Sequence, residues 1–242
     1  MATEIEETAR PREALTKERI LQAAVALADE GGVESLGMRR IAQELDVVPM
    51  ALYKHVANKD EMLDAMVDVV VGEIDPPLED TDWKTAIRER VLSARRALLR
   101  HPWASQVIES RPEPTPTVIA YMDSMMGILR SGGFSIDLMH HTMHVMGSRI
   151  LGFSQELFDD TSSMPEEEAI AMWAQLAERY PNIAALVGEI SGGEISHDEG
   201  SVVGGGCDDQ FEFEFALDLL LDGLERLRQR SDDGLPSAGG QG

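Results

Sequence analysis

Helical spacing of the apolar residues is the feature that most narrows the folds open to this chain. From about residue 15 to residue 230 the apolar side chains recur at intervals of three and four residues, as in amphipathic α-helices. No convincing segment alternates apolar and polar residues with the period of two that a half-buried β-strand requires. The sequence therefore predicts an all-α protein whose helices are separated by glycine, proline and short polar segments.

Local signals set the ends of two N-terminal helices. Thr16 is a good N-cap for the first helix, which Gly31 and Gly32 are expected to end. Asn58 is expected to cap a fourth helix, and Glu61 stands three residues later, as in a capping box. That fourth helix should bury a stripe formed by Met62, Leu63, Met66, Val67 and Val70.

Proline, glycine and polar segments divide the rest of the chain. We expect tails at 1–14 and 231–242, a first domain at 15–75, a second domain at 80–230, and a mobile loop rich in glycine and acidic residues at 191–210. The boundary between the domains should lie near residues 72–80, where two prolines interrupt the helical pattern. Helices of the second domain are predicted at 82–100, 103–109, 116–131, 135–158, 166–179, 182–190 and 209–229.

Charge is distributed unevenly along the chain. The net charge is -23, yet residues 12–60 contain seven basic and eight acidic residues and are nearly neutral. A strongly acidic body repels nucleic acid, whereas a nearly neutral head can still use local basic residues to bind phosphates. An acidic surface that only keeps the protein in solution would explain the body equally well.

Cysteine content and the absence of long apolar runs restrict the class of protein further. Cys207 is the only cysteine, which excludes an intramolecular disulfide and a Cys₄ or Cys₂His₂ zinc site. We find no apolar run of signal-peptide length at the start and none of membrane-span length elsewhere. A cytoplasmic location is therefore expected.

The segment MRRIAQELDVVPMALYKH at residues 38–55 predicts two short helices joined by a tight connection. Pro49 suits the first position of the second helix, and Asp46 in the connection tolerates a left-handed backbone better than most residues. This arrangement can place one helix across a DNA backbone and the next in the major groove. The spacing alone would also fit other small helical hairpins.

A longer segment that contains residues 38–55 is a far more specific signal than their spacing alone. The segment ILQAAVALADEGGVESLGMRRIAQELDVVPMALYKHVANKDEMLDAMVD resembles the N-terminal domain of the tetracycline-repressor (TetR) family over its whole length. WKTAIRERVLSARRALLRHPW at 83–103, LRSGGFS at 129–135 and VMGSRILGFSQELF at 145–158 resemble the family's C-terminal domain.

The resemblance implies an architecture and a function. It implies an N-terminal helix-turn-helix DNA-binding domain joined by helix 4 to a helical bundle that binds a ligand and forms the dimer. The function implied is that of a ligand-responsive regulator, in the first place a repressor that binds a palindromic operator as a homodimer and is released by a small molecule. An activator stays open, and the operator, the regulated genes and the effector are not predicted.

The resemblance also implies residues that contact DNA. Tyr53 and Lys59 match positions that contact phosphates, which set register without reading sequence. Lys54 could reach guanine, and Met50 and Ala51 could touch thymine methyl groups. Arg39 and Arg40 could contact phosphates or form surface ion pairs. The full set is Arg39, Arg40, Pro49, Met50, Ala51, Tyr53, Lys54, His55 and Lys59.

Three positions in this region depart from the family pattern. Gly37 stands where Ser or Thr usually caps helix 2, Val48 where a polar residue often precedes helix 3, and Asp46 where glycine is usual. Glycine at an N-cap costs only a few tenths of a kcal/mol relative to serine. The fold should tolerate these changes, and the identity of the operator is what they leave open.

Two long helices, at 135–158 and 209–229, are implied as the dimer interface. The last helix is apolar around much of its circumference, so we expect both its own bundle and a partner to pack against it. Phe211 and Phe215 form a stripe beside the main one. The residues assigned to the interface are Phe213, Leu217, Leu220, Leu221 and Leu224.

A ligand pocket is expected between the helices at 82–100, 116–131 and 135–158. Methionines are frequent there and could adapt to varied apolar shapes, although a methionine stripe is more often ordinary core. His140 and His144 share one helical face and could contact a ligand, bind a metal ion, or be satisfied core or interface residues. The lining residues assigned are Trp103, Tyr121, Met125, Leu129, His140, His144 and Phe153.

Other classes of function were weighed against a regulator. A metalloenzyme built around His140 and His144 lacks the Glu-x-x-His pairs of a di-iron bundle, and no nucleophile elbow, P-loop or dinucleotide fingerprint is present. A helical scaffold that has lost DNA binding is compatible with Val48 and the acidic body. We expect no enzyme, no cofactor and no bound metal, with operator DNA, a small-molecule effector and a second copy of the chain as partners.

Overall fold

The computed structural model of the protein describes residues 14–152, 179–182 and 209–232. Within these ranges every regular element is a helix, which confirms the predicted all-α fold. The chain divides into two compact units, one up to Ile150 and one from Leu151. The domain boundary predicted near residues 72–80 falls inside the first unit and stays a prediction.

Helix α1 (Lys17–Gly31) begins and ends where the sequence predicts. The Thr16 hydroxyl accepts a hydrogen bond from the amide of Arg19 at 3.2 Å, which satisfies one of the free amides of the first turn. At the other end Gly32 adopts a φ of 73°, which a residue without Cβ reaches at no steric cost. Its amide bonds to the carbonyl of Ala28 and closes the helix.

Two short helices follow, α2 (Met38–Glu44) and α3 (Pro49–Leu52). Both begin at the predicted residues. The predicted end of α3 at His55 is wrong, because the amides of Lys54 and His55 bond to carbonyls three residues back and the chain tightens into turns. We call α1, α2 and α3 the head.

Helix α4 (Lys59–Gly72) is capped as predicted. The side chain of Asn58 accepts from the amide of Glu61 at 2.8 Å, and the Glu61 carboxylate accepts from the amide of Ala57 at 2.8 Å. This is a capping-box arrangement in which the glutamate reaches one residue before the cap. The predicted stripe is confirmed except for Leu63, which is half-buried; the buried residues are Met62, Met66, Val67, Val70 and Val71.

Four further helices belong mainly to the first unit. Their bounds are α5 (Trp83–Arg100), α6 (Trp103–Ser110), α7 (Pro116–Ser131) and α8 (Ile136–Gly152). The first three agree with the predicted bounds to within one residue. The second part of the helix predicted at 135–158, and most of the helices predicted at 166–179 and 182–190, lie outside the described residues.

One hydrophobic core runs from the head through α4 into α5 and α6. Buried residues of the first four helices form a single cluster with Ala97 of α5 and with Trp103, Ala104 and Val107 of α6. The head is therefore not packed independently of the helices that follow it. A displacement of α6 would change the packing around α1 and α4, because densely packed interiors transmit strain.

The described part of the second unit consists mainly of α9 (Asp209–Asp232). Phe213, Leu217, Leu221 and Leu224 are buried at intervals of four, four and three residues. The loop predicted at 191–210 lies almost entirely outside the described residues, as do the tails apart from their innermost residues. None of the described helices combines the length and the apolar character needed to cross a lipid bilayer.

Candidate functional site

The connection between α2 and α3 is rigid and tightly packed. Ile41, Ala42 and Leu52 are at most 1% exposed and form its small core. Asp46 has a φ of 51°, the left-handed conformation predicted for it, and the amide of Val47 bonds to the carbonyl of Ala42 at 2.9 Å. The two helices are therefore held at a fixed angle, as a helix-turn-helix requires.

Large apolar side chains stand exposed around α3. Val48 is 68% exposed, Met50 71% and Tyr53 45%. Such exposure on one short helix is unusual and marks a surface that a partner covers. We call the nine residues predicted to contact DNA the recognition surface. Seven of them are exposed and Ala51 and His55 are half-buried; the set is Arg39, Arg40, Pro49, Met50, Ala51, Tyr53, Lys54, His55 and Lys59.

The cations of the recognition surface form no ion pair with the described residues. This holds for Arg39, Arg40, Lys54 and Lys59. Arg40 donates to the hydroxyl of Ser35 at 3.2 Å, and it forms no ion pair in the described part of the chain. Four cations on or next to the helix-turn-helix are thus free of carboxylate partners within the described residues, which suits contact with phosphates.

A nearby cation behaves differently. Arg111, at the end of α6, pairs with Asp60 at 3.1 Å and with Asp64 at 2.7 Å, both on α4. Burial opposes its charge, but the hydrogen bonds to the two carboxylates raise the pKa of Arg111. Arg111 therefore ties the end of α6 to the first half of α4.

Three of the predicted pocket residues lie on one face of α7. Tyr121, Met125 and Leu129 are spaced by four residues; Met125 and Leu129 are fully buried, and the Tyr121 hydroxyl is shielded from solvent. Phe153 lies outside the described residues. The structure thus brings these three together, and their contact with a ligand stays a prediction.

Trp103 packs against the head. Its indole is 5% exposed and belongs to the core shared with the head. The indole Nε1 donates to Asp29 Oδ1 on α1 at 2.7 Å, which satisfies its only polar atom. Trp103 therefore joins α6 to the head, and its contact with a ligand stays a prediction.

His140 and His144 do not line the interior of the first unit. Both are exposed on α8, on the side opposite Thr142 and Met146, which are buried. Their rings lie edge to face with centroids 4.6 Å apart. The i and i+4 spacing places them on one face, as predicted, and that face is exposed; their contact with a ligand stays a prediction. Within the described ranges no three ligating side chains cluster as a metal site.

Sequence reasoning missed a group of polar residues on α5 that binds Asp75, three residues after the end of α4. Arg90 Nη1 donates to the carbonyl of Asp75, and Ser93 Oγ accepts from the Asp75 amide at 2.8 Å. Ser93 Oγ also donates to Asp75 Oδ2 at 2.8 Å, and Arg96 Nη2 donates to the same oxygen at 2.9 Å. We call Arg90, Ser93, Arg96 and Asp75 the Asp75 clamp. Hydrogen bonds from Ser93 and Arg96 lower the pKa of Asp75.

Arg90 is unusual because it is buried. It is 6% exposed, donates through Nη2 to Ser124 Oγ at 2.8 Å, and lies over the Tyr121 ring with its Cζ 4.7 Å from the centroid. Burial lowers the pKa of Arg90. One signal could have indicated it: Ala86 and Ala94, four residues before and after, are small and buried on the same face of α5.

A second polar group joins the head to α5 and α6. His101 Nδ1 lies 2.9 Å from Asp29 Oδ1 on α1, and its Nε2 lies 3.2 Å from Glu73 Oε1 at the end of α4. Asp29 also accepts from Trp103. We call Asp29, Glu73, His101 and Trp103 the latch. Burial opposes ionisation of Glu73, but hydrogen bonds from Arg100 and His101 lower its pKa.

Helix α9 places its apolar residues on two faces. Four of the five residues assigned to the dimer interface, Phe213, Leu217, Leu221 and Leu224, are already buried within the chain. Leu220 is half-buried. A side chain that its own chain covers offers little surface to a partner, and the role of these five residues at a dimer interface stays a prediction. The large apolar residues that α9 leaves exposed are Phe211, Phe215, Leu219 and Leu227.

Two family models match most of the chain. Residues 20–66 match "Bacterial regulatory proteins, tetR family", and residues 75–228 match "Tetracyclin repressor-like, C-terminal domain". A curated relative, the HTH-type transcriptional repressor DrrR1 of Streptomyces coeruleorubidus, is 30% identical over 93% of this chain and 83% of its own length.

Solved structures give the same result. Apo ActR of Streptomyces coelicolor is 28% identical, with a TM-score of 0.68 over 90% of this chain and 99% of its own. ActR in complex with actinorhodin has a TM-score of 0.67 at 27% identity over 89% of this chain and 99% of its own. BioQ with its natural double-stranded DNA operator has a TM-score of 0.52 at 30% identity over 58% of this chain and 86% of its own.

These matches cover both the helix-turn-helix and the helices that follow it, and they agree with the geometry of the recognition surface. The chain belongs to the tetR family of bacterial transcription regulators.

Proposed function

We propose that this protein is a homodimeric repressor that binds operator DNA through the recognition surface and leaves it when a small-molecule effector binds. The observation that carries the proposal is the set of four unpaired cations around an exposed, four-residue α3. BioQ, similar in sequence and fold, has been crystallised with its operator. A regulator of this kind acts in the cytoplasm, where the chromosome lies, and needs no catalytic step.

On DNA, α3 enters the major groove with its exposed side chains. Met50 and Ala51 suit contacts to thymine methyl groups, and Lys54 suits a guanine edge. Lys59 and Tyr53 bind phosphates on either side of the groove and fix the register of the helix. Val48 adds apolar surface where many family members have a polar residue, so this chain gains van der Waals contact there but no hydrogen bond.

The dimer forms through large apolar residues that α8 and α9 leave exposed. On α8 these include Ile136, which is 80% exposed, and Val145. On α9 they are Phe211, Phe215, Leu219 and Leu227. A two-fold axis lets these residues meet the partner protomer and spaces two recognition surfaces for the halves of a palindrome. His140 and His144 are exposed on α8, and we assign them to this interface as well.

The effector binds beside α7, where Tyr121, Met125 and Leu129 share a face, and ActR supplies the precedent of a related protein bound to actinorhodin. The signal travels through the Asp75 clamp and the latch, because these join α5 and α6 to the end of α4 and to α1. Helix α4 is thus not the sole connection to the head, since Asp29 provides a second one through His101 and Trp103.

A gel-shift assay with the DNA upstream of the protein's own gene tests DNA binding. We expect the wild type to retard this fragment at physiological salt, and Lys54→Ala to weaken binding more than Arg88→Ala, which removes a charge from α5 instead. A reporter fused to the same fragment should rise in activity when the gene is deleted. Failure to retard the fragment, or equal effects of the two substitutions, would remove the recognition surface from this role.

Sedimentation velocity tests the dimer separately. Phe215→Glu and Leu219→Glu place a carboxylate in an apolar interface and should produce folded monomers, because burying an unpaired charge costs several kcal/mol. Gln229→Glu adds the same charge at another exposed position of α9 and should leave the dimer intact. A dimer unaffected by both substitutions would move the interface away from this stripe.

A further inference from the structure

We propose that the effector of this protein is an organic anion, an apolar molecule with a carboxylate or ionised enol oxygen that Arg90 and Tyr121 bind. The proposal rests on the function proposed above, since it names the chemical class of the effector. It depends on two neighbouring groups that the sequence-based assignment of the pocket did not combine.

The first group is the guanidinium of Arg90. Two of its nitrogens have partners, the carbonyl of Asp75 and the hydroxyl of Ser124, but its Nε is buried without an acceptor. A buried donor that has lost water and gained no partner is costly, and native proteins rarely leave one unsatisfied. The free Nε therefore points to an acceptor that the described residues do not supply.

The second group is the hydroxyl of Tyr121, whose ring lies under the same guanidinium. Tyr121 Oη is also buried and has no hydrogen-bond partner within the described chain. Burial raises the pKa of Tyr121 to about 12, so the hydroxyl keeps its proton at neutral pH and can donate. Two residues in contact, one on α5 and one on α7, thus each carry a buried donor that no described residue satisfies.

The charge balance favours an anion over a neutral acceptor. No carboxylate of the described residues forms an ion pair with Arg90. The acidic group of Asp75, the nearest candidate, bonds to Ser93 and Arg96 and offers Arg90 only its backbone carbonyl. The Asp75 charge favours ionised Arg90 through space but does not pair with it directly, so an anionic oxygen at the guanidinium gains more than a neutral one.

The residues that follow Tyr121 on α7 favour a ligand whose remaining part is apolar. Met125 and Leu129 continue the face of α7 on which Tyr121 lies, and both are fully buried. A ligand that extends along this face meets apolar atoms after its acidic group has reached Arg90 and Tyr121. Small hydrophilic anions such as phosphate or sulfate would not use this surface.

The same arrangement couples the ligand to DNA binding. Arg90 holds the carbonyl of Asp75, three residues beyond the end of α4, so an anion that attracts the guanidinium competes with that bond. Weakening it loosens the Asp75 clamp and frees the end of α4. Effector charge is thereby linked to the position of the helix that leads to the head.

Matched pairs of probes test the proposal by thermal shift and isothermal titration on the full-length dimer. The probes are 1-naphthylacetate and naphthalene-2-carboxylate, each compared with its primary amide. We expect each acid to bind about tenfold or more tightly than its amide, as is typical of hydrogen bonds to a charged group. Arg90→Gln should remove this preference, whereas Arg88→Gln on the same helix should keep it.

Tyr121→Phe separates ligand binding from folding. Since the hydroxyl has no partner among the described residues, we expect the unliganded melting temperature to be unchanged or higher, and the acids to bind several-fold more weakly. A clear drop in unliganded melting temperature, equal binding of acid and amide, no binding of either acid, or unchanged acid binding in this variant would each overturn the proposal.

Gel shifts on the same samples keep the two proposals apart. Operator binding together with indifference to probe charge would leave a repressor whose effector is not an anion. Acid-selective binding by a protein that fails to retard its upstream DNA would leave an anion-binding protein and would contradict the proposed function.

Discussion

The recognition surface and the α4–α5 junction use their polar residues in opposite ways. On the recognition surface four cations have no acidic partner and large apolar side chains stand in solvent, while the backbone beneath is tightly packed. At the junction the Asp75 clamp and the latch satisfy nearly every polar group with another, over sequence separations of 15 to 74 residues. One region keeps its interactions for a partner, and the other uses them to hold helices together. Changes to the first should therefore alter affinity alone, and changes to the second should alter stability and affinity together.

The largest effect is expected from Asp29→Ala in the latch. It leaves the buried Nδ1 of His101 and Nε1 of Trp103 without their acceptor, and we expect the free energy of unfolding to fall by about 3 kcal/mol. Urea denaturation measures this, with Glu30→Ala as the control because Glu30 is the exposed neighbour. If the free energy of unfolding falls equally in both variants, the hydrogen bonds of Asp29 do not stabilise the junction, and the difference drawn between the two regions is wrong.

Ser93→Ala should have the next largest effect. Ser93 is 3% exposed and makes two hydrogen bonds to Asp75, so we expect a loss of roughly 1.5 kcal/mol in stability and weaker operator binding by the folded dimer. Ser131→Ala removes an exposed hydroxyl from the end of α7 and should do neither. Stability lost with operator affinity intact would show that the clamp does not position the head.

Lys59→Ala on the recognition surface should leave the urea midpoint unchanged and weaken operator binding by about 1 kcal/mol. The slope of log affinity against log salt should fall by about one unit, as expected when one phosphate contact is lost. Tyr53→Phe should weaken binding less, without changing the slope. Lys84→Ala, a charge loss on α5, is the control; the same slope change there would indicate a general field rather than a contact.

The smallest expected effect is on stability at acidic pH. The pKa of Glu73 is lowered below its ordinary 4.5 in the folded protein, so its stabilising contribution is complete above that value and is lost as pH falls through the folded pKa. The urea midpoint should thus change little on this account between about pH 7 and about pH 5 and drop as the pH falls below about 4.5, and Glu73→Gln should reduce this drop. Glu109→Gln, on the exposed side of α6, should leave it unchanged.

Features set by neighbours in sequence were predicted well. Thr16 and Asn58 cap their helices because each bonds to an amide three residues on, and such short-range patterns are visible in the sequence. Asp46 takes the left-handed conformation for an equally local reason. The helix bounds of the first unit follow from the same signals.

Features set by distant residues were missed. Asp29 bonds to His101 and Trp103 more than 70 residues away, and nothing local to Asp29 marks it as their partner. Arginine on an amphipathic helix normally faces solvent, so Arg90 was not considered. The spacing of His140 and His144 fixed their common face but not the direction in which that face points.

The latch also limits how this protein can be rebuilt as a biosensor. Asp29 lies on α1, whereas His101 and Trp103 lie beyond α5, so a chimaera that joins this DNA-binding portion to another sensor portion separates Asp29 from both partners. A working exchange must carry the histidine and tryptophan together with the aspartate, or replace all three by apolar residues that pack. A chimaera of such regulators must therefore match these three side chains as well as the peptide bond at which the two portions are joined.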